Sequence, residues 1–230
     1  MRRSALIVCL GILVCSAPAR ADGPPLVLVR AHGGARFELP PASDEGHFDG
    51  DVMLKAREAF AYYQTSFTRS HEVHPRVLEL AYKAMRHFGA DHVELVSGYR
   101  QTRGSSRHAH GRAIDFRLPG VSIDALASFM REQGFVGVGI YPRSGFVHCD
   151  VRGASYFWVD YSGPGRHGRE HEILGDLAHQ MDEAALARGE SADPDVVAAE
   201  RVEQRGRHHR GHHPARGTRV ASRTVRHRRG

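Results

Sequence analysis

Ser106-Arg107-His108-Ala109-His110-Gly111-Arg112-Ala113-Ile114-Asp115, followed about thirty residues later by Phe146-Val147-His148-Cys149-Asp150, decides how this chain is read. A histidine and an aspartate stand seven residues apart, with Gly111 and Ala113 between them. Small residues let the backbone turn tightly there, so both ends of the segment can converge on one point. Ala113 to Leu118 and Gly145 to Val151 both read as strands, which puts Asp115 and His148 on two strands of one sheet and His108 in the loop before the first. An imidazole, a carboxylate and a second imidazole form the donor set of a catalytic zinc site with its fourth position open to water. His108, Asp115 and His148 are therefore the expected ligands, Zn2+ the expected cofactor, and a zinc hydrolase the expected class. The bland alternative is three unrelated surface residues in a chain with 17 histidines. It leaves the full Ser/His/Gly/Ala/Asp pattern to accident.

Working outward, Leu26 to Arg30 and Arg36 to Leu39 flank Gly33-Gly34 as a β-hairpin. Asp51 to Gln64 and Pro75 to Phe88 carry helical spacing, the second with Pro75 in its first turn and Gly89 past its end. His92 to Ser97 reads as a strand delivering Gly98-Tyr99-Arg100 to the loop before the signature. Ser122 is placed to cap a helix running to Gln133, and Val136 to Tyr141 forms a hairpin with Gly145 to Val151. Tyr156 to Tyr161 reads as a closing strand, and His171 to Arg188 as a last helix broken by Ser191 to Pro194. The expected fold is α+β: a mainly antiparallel sheet with helices packed on it, and the zinc site at the sheet and its adjoining loop.

The Ser-x-His-x-x-Gly-x-Ala-x-Asp pattern resembles the signature of the M15-type zinc peptidases that cleave peptidoglycan. Within them the chain is most similar to the DUF882 (YcbK-like) murein endopeptidase branch. The likeness rests on Ser97-Gly98-Tyr99-Arg100, on Ala113-Ile114-Asp115-Phe116, and on Gly137-Val138-Gly139-Ile140-Tyr141 with Phe146-Val147-His148. It runs from about Leu26 to Trp158. It implies a zinc-dependent peptidase acting on stem or cross-link peptides of peptidoglycan, as a murein endopeptidase or a carboxypeptidase. Arg100 resembles the arginine that in relatives contacts substrate and the developing oxyanion, a task suited to a permanently charged fork of donors. Its other use is as a structural arginine.

Many relatives place a glutamate three residues before the last histidine, where this chain has Gly145. Asp150 is then the candidate base, because residues 148 and 150 share a strand face. Its alternative role is to orient His148. A third register, with Asp150 as ligand and His148 as base, follows relatives that end in His-x-His. His110 reads as a solvent-facing loop residue, and Cys149 as a buried, inert thiol pointing away from its neighbours. Only Gln101 to Ser105 separate Arg100 from Ser106, a short loop that fits an open groove and a polymeric substrate. The rival from another class is a non-catalytic cell-wall-binding domain using the same cleft, favoured by the missing glutamate.

Arg2 and Arg3, an apolar run from Ala5 to Val14 and Ala19-Arg20-Ala21 make residues 1–21 a signal peptide. A membrane helix needs about twenty apolar residues, and this run stops at Pro18, so no transmembrane segment is expected in the mature chain. The protein is expected to be exported, to the periplasm or cell envelope. Cleavage leaves one cysteine, Cys149, which excludes an intrachain disulfide. The 230 residues, 41 % hydrophobic, suit one domain with tails. The peptidase domain is expected over residues 26–165, a helical extension and linker over 166–200, and a basic tail over 201–230. That tail holds ten arginines and five histidines against one acidic residue, Glu203, and makes much of the formal charge of +6. It has too few apolar residues to fold alone. A plain solvated tail is the default reading; as partners, anionic envelope polymers suit it better than nucleic acid, which an exported protein rarely meets.

Overall fold

The computed structural model describes residues 23–64, 67–101, 106–163, 166 and 168–210. The expected hairpin pairs strands β1 (Leu26–Arg30) and β2 (Arg36–Leu39), with Leu26 opposite Leu39. Helix α1 (Gly50–Phe60) follows, then the short strands β3 (Tyr62–Gln64) and β4 (Phe67–Arg69), helix α2 (Pro75–Phe88) and strand β5 (Val93–Ser97). A single 3-10 turn, Arg107–His110, leads into β6 (Ala113–Arg117), helix α3 (Ile123–Arg131), β7 (Val136–Tyr141), β8 (Phe146–Val151) and β9 (Tyr156–Val159). Helices α4 (Gly175–Ala187) and α5 (Pro194–Arg210) close the described chain.

Seven strands form one sheet in the order β2-β1-β5-β6-β8-β7-β9. Only β1 with β5 and β7 with β9 run parallel, so the expectation of an α+β fold with a mainly antiparallel sheet holds. On β6, β8, β7 and β9 the side chains alternate with period two. Ile114, Phe116, Val147, Cys149, Val151, Val136, Val138, Ile140, Phe157 and Val159 are all buried in the core. Helices α2 and α3 pack on β8, α3 also on β7, and α4 on β9. Helix α2 supplies the apolar stripe Val77, Leu78, Ala81 and Met85, the i, i+4 spacing of a core-facing helix. Each fully buried large side chain contributes roughly 1.5–3 kcal/mol. No described helix is long and apolar enough to cross a membrane.

Three elements depart from expectation, each for a physical reason. Helix α1 stops at Phe60 rather than Gln64, because the Arg30 guanidinium reaches from β1 to the carbonyls of Glu58, Ala59 and Ala61 and satisfies the helix end. Tyr62–Gln64 then pairs antiparallel with Phe67–Arg69. Helix α4 starts at Gly175, since His171 is spent on a backbone bridge to Val159. Pro194 opens a helix as well as ending the preceding stretch. The Asp193 carboxylate accepts the N–H groups of Asp195 and Val196, and proline suits the first helical position. Helix α5 therefore runs into the segment expected to be unstructured. The expected signal peptide, Thr102 to Ser105 of the short loop, and residues 211–230 of the tail lie outside the described residues.

Candidate metal centre

The face of the sheet opposite the core carries the site, and register alone assembles it. Ser97 pairs with Asp115, Asp115 with His148, His148 with Gly139 and Gly139 with Trp158, a row that crosses five strands. The next row runs Ala113, Asp150, Gly137 and Tyr156. Glycine on β7 is required by its neighbours. A Cβ on Gly139 would enter the Trp158 indole, and one on Gly137 would strike the carboxylate of Asp150 and the guanidinium of Arg152. The two glycines let an indole, a carboxylate and a guanidinium lie over the strand.

His108 arrives from the 3-10 turn, which ends at Gly111 with φ +64. Any side chain at Gly111 would meet the Glu72 carbonyl, so the tight turn inferred from sequence is confirmed in detail. The Nδ1 of His108 lies 2.6 Å from the carbonyl oxygen of Gly98. A carbonyl only accepts, so Nδ1 carries the proton and Nε2 is left with its lone pair. Gly98 is itself set against Phe60 at the end of α1, and the Tyr99 N–H donates to the Phe60 carbonyl.

His148 is oriented from its other side. Its Nε2 donates to Asp150 Oδ2 at 2.8 Å, so its Nδ1 faces inward. The three inward atoms converge: His148 Nδ1 is 2.7 Å from Asp115 Oδ1 and 3.1 Å from His108 Nε2, and the latter two are 3.2 Å apart. All three residues are buried, and they are the one group of metal-ligating side chains this close found among the described residues. Ligand atoms on a tetrahedral zinc stand roughly 3.3–3.5 Å apart, so the trio fits a zinc ion after opening by less than about 1 Å, most of it between His148 and Asp115. Two imidazole nitrogens and a carboxylate oxygen, each proton turned outward to an acceptor, make a donor set that suits this metal.

The electrostatics follow from burial and pairing. Burial pushes the His108 imidazole below its ordinary value. It acts the same way on His148 but is outweighed by the bonds to Asp115 and Asp150, and that pKa is raised. Burial alone would raise both carboxyls. For Asp115 the two imidazoles outweigh it, and for Asp150 Arg152 and His148 do, so both stay ionised well below the usual carboxylate range.

Arg100 stands at the rim, 45 % exposed, with Nη2 3.0 Å from the outer oxygen of Asp115. Asp150 lies behind His148, held by two bonds from Arg152 at 2.7 and 3.0 Å. Arg107 Nε approaches its Oδ1 at 3.2 Å as a charge contact without hydrogen-bond alignment. Both carboxylate oxygens of Asp150 are thus engaged, Oδ2 by His148 and Arg152 and Oδ1 by Arg152. The Trp158 ring lies 5.3 Å from His148, and Tyr141, whose phenol is pushed up to about 12 mainly by burial, stacks on Phe146. His110 is half exposed, as expected of a loop residue. Cys149 points into the core, where burial pushes its thiol up.

Sequence reasoning did not single out Arg107, Arg152, the Gly98 carbonyl or the site role of Trp158. The spacing of Gly137 and Gly139 against His148 and Asp150 was a usable signal, since equal period-two steps on paired strands put them opposite one another.

A family model described as peptidoglycan L,D-endopeptidase MepK matches residues 43–158. The chain belongs to this M15-type, YcbK-like family. The match ends at Trp158, the last residue of the resemblance read from sequence, so α4 and α5 lie beyond it. The peptidoglycan L,D-endopeptidase MepK of Escherichia coli (strain K12) is 27 % identical over 156 residues, covering 62 % of this chain and 78 % of that protein. A probable peptidoglycan L,D-endopeptidase MepK of Haemophilus influenzae is 33 % identical over 96 residues, 35 % of this chain and 52 % of that protein. No solved structure matches.

Proposed function

We propose that the protein is an exported, zinc-dependent peptidoglycan peptidase, and that its relatives' printed activity carries over as an endopeptidase cutting an L,D bond in the peptide part of the wall. The convergence of His108 Nε2, Asp115 Oδ1 and His148 Nδ1 on one buried point is the observation that carries this reading. Zinc bound there would supply a Lewis acid that polarises the scissile carbonyl and acidifies water. The chain's own residues orient the ligands and offer contacts to substrate. Gly98 and Asp150 hold the two imidazoles in the tautomers that present lone pairs. Arg100 aligns Asp115 and keeps exposed donors for a substrate carbonyl or carboxylate. Asp150, already committed to His148 and Arg152, acts as a positioning residue rather than as the proton acceptor.

Digestion of purified sacculi by the mature protein, read by mass spectrometry of released muropeptides, tests this directly. Cleavage that stops on zinc removal and returns on zinc addition is expected. Zinc binding without any cleavage would leave the non-catalytic wall-binding domain, the reading favoured by Gly145 where relatives carry glutamate.

A further inference from the structure

The metal signature contains two arginines at positions the ligand pattern does not use, Arg107 and Arg112, one on each side of the turn that carries His108. Both side chains meet helix α5. Arg107 Nη2 donates to Glu200 Oε1 at 2.8 Å, and Arg112 Nη2 to Glu203 Oε1 at 2.7 Å. The second oxygen of Glu200 accepts the Gly153 N–H at 3.1 Å, just past the end of β8. Val196, Glu200 and Glu203 follow i, i+4, i+7 spacing, so one stripe of α5 faces the site region. Val196 is buried, and Asp193 at the helix start pairs with His74 at 3.3 Å. The same Arg107 guanidinium that meets Glu200 also approaches Asp150, whose other oxygen holds His148.

We infer that helix α5 is a strap on the metal centre, with Glu200 a positioning residue that sets Arg107, and through Asp150 the imidazole of His148. This rests on the proposed metal site and deepens it: a helix beyond the segment matched by the family model tunes the affinity of the ligand set. Charge is passed along in alternation, carboxylate, guanidinium, carboxylate, imidazole, and each group is at least three-quarters buried. In such a chain every member loses a partner when its neighbour is removed, and the effects do not add.

Zinc affinity, measured by competition with a chromogenic chelator on the full mature chain, tests the wiring. Glu200→Ala and Arg107→Ala should each weaken zinc several-fold, less than the roughly 10–100-fold expected for removing a ligand's direct partner. The double variant should bind no more weakly than the weaker single. Glu200→Gln keeps an acceptor for Gly153 but loses the charge, and should fall between. It also answers the question if Glu200→Ala does not fold. Glu203→Ala unpairs Arg112 and removes a 3.9 Å contact with His110, neither of which reaches Asp150, and should lower the melting temperature while leaving zinc affinity at the wild-type value. Wild-type zinc affinity in both Glu200→Ala and Arg107→Ala, or losses that simply add, would overturn the strap and leave the metal site standing. A wild-type chain that takes up no zinc would fail the metal reading itself, and the strap with it.

Discussion

Strand β8 turns Val147, Cys149 and Val151 to one face and His148 and Asp150 to the other, and all five are buried. The apolar face asks only for volume, so exchanges that conserve size should be tolerated. The polar face asks that every proton and lone pair find its match. An altered atom on Asp150 should therefore be felt at His148, because an unmatched buried polar group costs far more than a matched one gains. Burial on this strand marks core on one side and chemistry on the other. What separates them is whether the neighbours across the sheet are helices or the glycines of β7.

The comparison breaks most visibly at a ligand. Asp115→Ala should lower the zinc content by about one per chain and take activity to background, checked by metal analysis and muropeptide release. Retention of both would dissolve the distinction between the faces. Next comes Asp150→Asn, which keeps the shape but can no longer accept from His148 and pair with Arg152 as a carboxylate. A loss of roughly 10–100-fold in zinc affinity is expected, with added zinc restoring much of the rate. Abolished turnover at full zinc occupancy would instead make Asp150 the base.

Much of this was legible in the sequence. The strands carrying Asp115 and His148 and the tight turn at Gly111 follow from period-two alternation and short-range spacing, and the donor chemistry of His108, Asp115 and His148 pointed to the group that the fold brings together. What was not legible depends on which partner a side chain finds in the fold, near or far along the chain. The end of α1 is set by Arg30, about thirty residues earlier, so local periodicity alone ran the helix on to Gln64. The position of Asp150 behind His148 rests on Arg152, two residues on, and on Arg107, which comes from another element altogether. Asp193-Pro194 carries the same letters whether it ends a helix or starts one, and only the bonds from Asp195 and Val196 decide.

Smaller effects sharpen the contrast. Gly139→Ala should push Trp158 off His148 and destabilise the fold by about 1–3 kcal/mol, the cost of overpacking, seen as a lower melting temperature with weakened activity. Cys149→Ser, on the core face, should cost a similar or smaller amount, about 1–3 kcal/mol for a buried hydroxyl without a partner. Its zinc affinity and activity should stay at wild-type values. A change in zinc affinity there would mean that the two faces are not independent.

Trp158 is the only tryptophan in the chain, and it lies against His148. Zinc titrated into metal-stripped protein, followed by its emission, therefore reports on the proposed ligands, with Asp115→Ala as the control for zinc held by other histidines. The expected result is a change that saturates at one equivalent in the wild type and disappears in Asp115→Ala. An identical titration in the two proteins, or no change in the wild type, would contradict a zinc site built from His108, Asp115 and His148.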